Sequence, residues 1–206
     1  SGGVSYISLS GGIRIVIGSK EDNRYKGHFD IIIDPGGNDI YELEPPGGEL
    51  SESAQCIIDL GGNDVYRSDG DLSLASAFFG SSFIFDSGGD DFYTGAGTSV
   101  ASAICGLALI ADEAGNDVYK GLNHSIGAAT FGVGAVIDNE GNDTYIANSN
   151  SQGFGSTQGV GVIRDNKGND SYIVDSRSLD LGRYEDHYIS MCQGYGNGVR
   201  PYFAGG

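Results

Sequence analysis

Six times along the 206 residues an aspartate is followed five positions later by a second aspartate, and that one by a tyrosine two positions on. The copies read IIIDPGGNDIY, CIIDLGGNDVY, FIFDSGGDDFY, LIADEAGNDVY, AVIDNEGNDTY and VIRDNKGNDSY. Their acid pairs are Asp34/Asp39, Asp59/Asp64, Asp86/Asp91, Asp112/Asp117, Asp138/Asp143 and Asp165/Asp170. Just before each second aspartate stands Asn38, Asn63, Asp90, Asn116, Asn142 or Asn169. Carboxylates, asparagine carbonyls and the backbone carbonyls of glycine turns are hard oxygen donors, the set from which calcium takes six to eight ligands. Cys and His are absent from the motif, which disfavours zinc and copper. These eighteen side chains are therefore the candidate metal ligands. A motif that recurs this regularly is architectural before it is catalytic.

The acids constrain any fold that stacks the copies. Equivalent residues of neighbouring β-strands lie about 4.8 Å apart. Like charges at that spacing repel by about 1 kcal/mol in water and about 3–4 kcal/mol at an effective dielectric near 20. Bound cations, backbone N–H donors, raised pKa values or side chains splayed into water could each relieve this. A metal-free reading stays open beside the calcium one, because Asp and Asn next to glycine are ordinary turn residues and asparagine ladders stabilise stacked strands.

What positions the acids is a period. The closing tyrosines Tyr41, Tyr66, Tyr93, Tyr119, Tyr145 and Tyr172 fall 25, 27, 26, 26 and 27 residues apart. Such a spacing marks a solenoid. Two residues before each first aspartate stands Ile32, Ile57, Ile84, Ile110, Val136 or Ile163, and glycines and serines recur in register. The apolar runs are short, β-branched and bounded by Gly, Asn and Asp, which is the pattern of strands. The expected fold is all-β, a right-handed parallel β-helix with coils of about 26 residues. The expected organisation is one domain over 1–206. A degenerate first coil spans 1–30, regular coils 31–175, a loop insertion 176–186 and an incomplete last coil 187–206. The chain begins at Ser1 and stops in mid-pattern at RPYFAGG, and is expected to belong to a longer protein. The tyrosines have two readings, an inward aromatic stack or an outward platform for sugar rings.

Composition narrows the partners. There are 28 acidic against 11 basic residues, a formal charge of −17, and this argues against nucleic acid and anionic membranes. No apolar run is long enough to span a bilayer. Cys56, Cys105 and Cys192 are too scattered for a disulfide framework or a zinc signature. No nucleophile elbow, H-E-x-x-H, P-loop or dinucleotide fingerprint occurs, so the sequence gives no catalytic residue. The least repetitive chemistry is in the insertion, where Arg177, Arg183 and His187 are candidate ligand-binding residues for an acidic sugar.

AGNDVY and GGNDIY resemble half of the repeats-in-toxin nonapeptide G-G-x-G-x-D-x-U-x of the calcium β-roll, over about eight residues of each coil. They are also similar to bacterial GGNDxY-repeat proteins. The resemblance implies Ca²⁺ held between adjacent turns by the second aspartate of each pair and by turn carbonyls. It further implies a secreted or surface-displayed bacterial protein, with calcium and possible glycan or surface-protein partners. The leading Gly-Gly of the nonapeptide is replaced here by Asp and a variable residue. The reading is a calcium-binding structural module, a rigid spacer or adhesion solenoid. The alternative is a carbohydrate-binding module or a polysaccharide-active enzyme on the same scaffold.

Overall fold

The computed structural model describes residues 4–9, 11–44, 54–175, 178–180, 182 and 185–198. Among them there is no helix, and the strands stack into a parallel β-solenoid. Each regular repeat of the sequence makes one rung.

The first sheet is built from Arg14–Ile17, Ile31–Asp34, Ala54–Asp59, Ser81–Asp86, Leu107–Asp112, Val133–Asp138 and Val160–Asp165, each parallel to the next. Ser5–Ser8 folds back antiparallel on Arg14–Ile17 and closes the sheet's first edge. The second sheet runs through Arg24–Gly27, Ile40–Leu43, Val65–Arg67, Phe92–Thr94, Val118–Lys120, Thr144–Ala147 and Ser171–Val174. A narrow third sheet of Ala77–Phe78, Ala103–Ile104 and Ala129–Thr130 completes the middle rungs. The acidic turn lies between the first and second sheets, so stacking rungs stacks turns.

Register explains the periodic columns. Ile57, Ile84, Ile110 and Val136 pair with one another along the first sheet and are fully buried. Tyr41, Tyr66, Tyr93, Tyr119 and Tyr145 do the same along the second, which settles the tyrosines as an inward stack. Their rings lie 4.4–4.9 Å apart from Tyr41 to Tyr145, nearly parallel. Alternation in a strand sends neighbouring residues to opposite faces, so the aspartates that follow the isoleucines at i+2 also point inward.

The degenerate first coil belongs to the solenoid. Tyr25 stacks on Tyr41 at 4.9 Å, and Val16 fills the isoleucine column. The insertion is a small hairpin where it is described. Leu179 pairs antiparallel with Tyr188, the Asp180 N–H donates to the His187 carbonyl, and the Ile189 N–H donates to that of Ser178. It therefore reaches beyond residue 186. The coil then resumes, with Gly196 bridged in parallel to Gly155.

A buried double row of aspartates

The ten aspartates from Asp34 to Asp143 in the two columns are buried, each at 2% exposure or less. Asp165 and Asp170, on the last rung, are half-buried. The two columns are held differently.

In the first column, one oxygen takes the hydroxyl of the tyrosine on the preceding rung. Tyr66 donates to Asp86 Oδ2 at 2.6 Å, Tyr93 to Asp112 at 2.7 Å and Tyr119 to Asp138 at 2.8 Å. Tyr25 and Tyr41 donate likewise to Asp34 and Asp59. In the first copies Oδ1 also accepts the turn N–H two residues on, as Asp59 does from Gly61 at 2.8 Å. Burial, with the nearby carboxylates, raises the tyrosine pKa values, so these hydroxyls stay protonated and remain donors. A direct consequence is testable. Tyr93→Phe removes the donor from a fully buried carboxylate, and a polar group stranded this way costs about 1–3 kcal/mol. For a chain of this size the melting temperature should fall by several degrees. Tyr172→Phe, at the 40% exposed end of the stack, should move it little.

In the second column, Oδ1 accepts the backbone N–H of the equivalent aspartate one rung earlier. The Asp64 N–H donates to Asp91 at 2.6 Å, that of Asp91 to Asp117 at 2.7 Å and that of Asp117 to Asp143 at 2.8 Å. The other oxygen, Oδ2, has no hydrogen-bond partner in Asp39, Asp64, Asp91, Asp117 or Asp143, and it is shut away from solvent. An unpartnered buried polar group is rare and calls for an explanation.

Those residues sit where carboxylates converge. Oxygens of Asp34, Asp39 and Asp59 lie within 4.8 Å of one another, as do those of Asp59, Asp64, Asp86 and of Asp86, Asp91, Asp112. Two more groups follow, Asp117/Asp138/Asp143 and Asp143/Asp165/Asp170. The grouping changes in the rung where Ala114 replaces the first glycine of the turn. In the first three groups a pair joins the first aspartate of the next rung. In the last two it joins the second aspartate of the previous one. Burial is the largest cause of the raised pKa values, to about 6 for Asp59, about 8 for Asp64, about 9 for Asp112 and about 10 for Asp91. Neighbouring carboxylates push the same way, Asp86 and Asp34 on Asp59 among them.

Asn38, Asn63, Asp90, Asn116, Asn142 and Asn169 lie elsewhere. Alternation turns them outward, and they are exposed. Each of the first five accepts the backbone N–H of its counterpart on the next rung, as Asn63 Oδ1 does from Asp90 at 2.9 Å, so they form a surface ladder. Turn carbonyls are engaged as well. Those of Gly61, Gly88 and Ala114 accept the N–H groups of Gly37, Gly62 and Gly89. Among these side chains the structure thus brings together the aspartates and not the asparagines.

The row has an end outside the six copies of the motif. On the first rung Gly18 stands level with the first column: a Cβ there would come within 2.3 Å of Asp34 Oδ2. Asn23 holds the place of the second column, its N–H donating to Asp39 Oδ1 at 2.5 Å. Two neutral residues close the acidic row, and the N-x-Y of Asn23-Arg24-Tyr25 was the available signal. Of the insertion candidates, His187 is exposed beside Asp186 at 3.0 Å. Arg177 and Arg183 lie outside the described residues. Comparison of the chain with family models, with curated proteins and with solved structures finds no match.

Proposed function

We propose that this solenoid is a calcium-stabilised structural module, a rigid spacer or adhesion element that works outside the cell. The observation that carries the reading is the set of solvent-excluded, unpartnered Oδ2 atoms in the second column, each on an aspartate grouped with two others. The donors are all hard oxygens, and each carboxylate oxygen that accepts one hydrogen bond keeps a second lone pair. Charge supports the same reading. A rung contributes two buried carboxylates, so one divalent cation per rung makes it neutral, whereas one proton leaves a net negative charge on every rung.

The resemblance of GGNDxY to the repeats-in-toxin turn favours calcium and an extracellular setting, where that ion is abundant. The carboxylates would hold the ions, and ions shared between rungs would fix the stacking of turns and so the register of both sheets. The exposed asparagine ladder holds the outer edge of the same turns. The protein's work in this reading is mechanical, and its surface is free for attachment.

The test is stoichiometry. Protein equilibrated with calcium, dialysed and submitted to elemental analysis is expected to retain about one ion per acidic rung. Protein with Asp91 and Asp117 both changed to Asn should retain fewer. Retention of no calcium by the wild type, with no change in its melting temperature, ends the proposal.

A further inference from the structure

The outward face of the first sheet is apolar on a chain of net charge −17. Its outward residues fall in three columns. One runs Ala54, Ser81, Leu107, Val133, Val160. The next runs from Ile15 through Cys56 and Phe83 to Val162, and the third from Ile17 through Ile58 and Phe85 to Arg164. Arg164, on the last rung, is the one charged side chain of the sheet's described strands at an outward position. Several of the apolar ones are well exposed, among them Leu107 at 49%, Val160 at 51% and Phe85 at 39%. The second sheet differs, since its outer face carries Arg24, Lys26, Glu42, Arg67 and Lys120. Strands apolar on both sides, such as FIFD and LIAD, are the mark of a parallel sheet covered on both faces.

We infer that this face binds a second copy of the chain, sheet on sheet, about a two-fold axis that runs along the strands through the middle rung, Ser81–Asp86. Size supports a copy. Seven strands span about 29 Å, and three outward columns span about 20 Å with their side chains. That is about 600 Å² per partner and about 1,200 Å² in total, the lower bound for a specific interface.

Shape supports it further. The axis reverses the order of rungs while each column meets itself. Leu107 then lies over Ala54, Leu109 over Cys56, Ile58 over Ala111 and Ile31 over Ala135, a large residue against a small one each time. A groove of about 330 Å³ on the early rungs, lined by Ile31, Ala54, Cys56 and Ser81 with Asp30 at its edge, receives the bulk that Leu107 and Leu109 present on the late ones. Phe83 and Phe85 meet their own copies at the axis, where a central aromatic cluster contributes most to binding. The paired acids lie inside the rungs or on the turns; the charges this face keeps are Arg164, which the axis sets over Ile17 at the rim, and Asp30, at the edge of the groove. Repulsion between the two net charges acts through solvent and is screened by salt over about 8 Å.

Sedimentation equilibrium on the whole chain, with and without calcium, tests this apart from the proposed ion sites. The wild type is expected to dimerise, more tightly as sodium chloride is raised. Phe85→Lys and Phe85→Glu, both at an outward position, should each fold with an unchanged circular dichroism spectrum. Each should weaken the dimer by about a hundredfold. Mixed together they should form a heterodimer, because under the two-fold Phe85 faces itself. A wild type that stays monomeric at high concentration overturns the inference, whether it remains in solution or floats with neutral lipid vesicles. So does a dimer that Phe85→Lys leaves intact, or two charge variants that do not recombine.

Discussion

Stripped of divalent cations, the protein is expected to melt at progressively lower temperature as the pH is raised from about 4 towards 9, and calcium is expected to abolish that slope. The direction follows from the buried pairs. Burial and neighbouring carboxylates raise Asp59, Asp64, Asp91 and Asp112 to about 6, 8, 10 and 9, from the ordinary carboxylate value of 3.8. Between the unfolded and folded values the folded chain holds more protons than the unfolded one. Unfolding therefore releases protons, and a rise in pH favours it. The contribution of these groups should be greatest below about pH 4 and decline through neutrality. Each proton of difference gives a slope of about 1.4 kcal/mol per pH unit, roughly 3–6 °C for a chain of this length. Calcium bound as proposed would take the place of the protons and favour the charged form, so the loaded protein should keep its stability at pH 7 and above. Melting curves at several pH values, with chelator and with excess calcium, check both halves. A metal-free curve that rises through neutral pH removes the argument for buried, mutually repelling carboxylates. A falling curve that calcium leaves unchanged keeps the carboxylates and removes the ions.

The columns could be read from one repeat because a parallel solenoid places each residue beside its own copy: Tyr66, Tyr93 and Tyr119 are neighbours in register. The period thus gave the sheets and the buried isoleucines directly. The direction of the tyrosines was undecided for a physical reason. From Tyr41 to Tyr145 each hydroxyl is satisfied by an aspartate of the next copy, Tyr93 by Asp112, nineteen positions away. No inspection of one motif shows that partner. Grouping Asn38 with Asp39 as ligands treated adjacent residues as neighbours in space, whereas alternation puts them on opposite faces, one exposed and one buried. The bends beside the third sheet were also hidden. Val100 and Ile126 hold left-handed conformations, φ 55° and 53°. Branched side chains avoid that region unless their surroundings impose it, so no local preference announces those turns.

Gly89→Ala is expected to destabilise the protein as strongly as any single methyl added at the described glycines. The first glycine of the turn is replaced in later copies by Ala114, Glu140 and Lys167, but the second persists as Gly37, Gly62, Gly89, Gly115, Gly141 and Gly168. Packing between rungs accounts for the difference. A Cβ on Gly89 would lie 1.4 Å from the Gly62 carbonyl oxygen, and one on Gly62 would lie 1.4 Å from that of Gly37. The obstacle is backbone, pinned by the Gly62 N–H donating to Gly88 at 3.1 Å. Relief therefore requires the rungs to part. Parting them breaks the second-column bonds, such as Asp64 N–H to Asp91, and separates the grouped carboxylates of Asp59, Asp64 and Asp86. Gly61→Ala is the matched comparison. Its φ of +120° is also unfavourable for a side chain, but its nearest neighbour, the Gly88 oxygen, is 3.2 Å away. It should cost about 1–3 kcal/mol for the backbone conformation, while Gly89→Ala should cost more than 4 kcal/mol, in the range reserved for steric disruption of a packed interior. Urea unfolding in excess calcium measures both. Equal costs would mean that conformation alone preserves the second glycine, and that neighbouring turns are not in backbone contact.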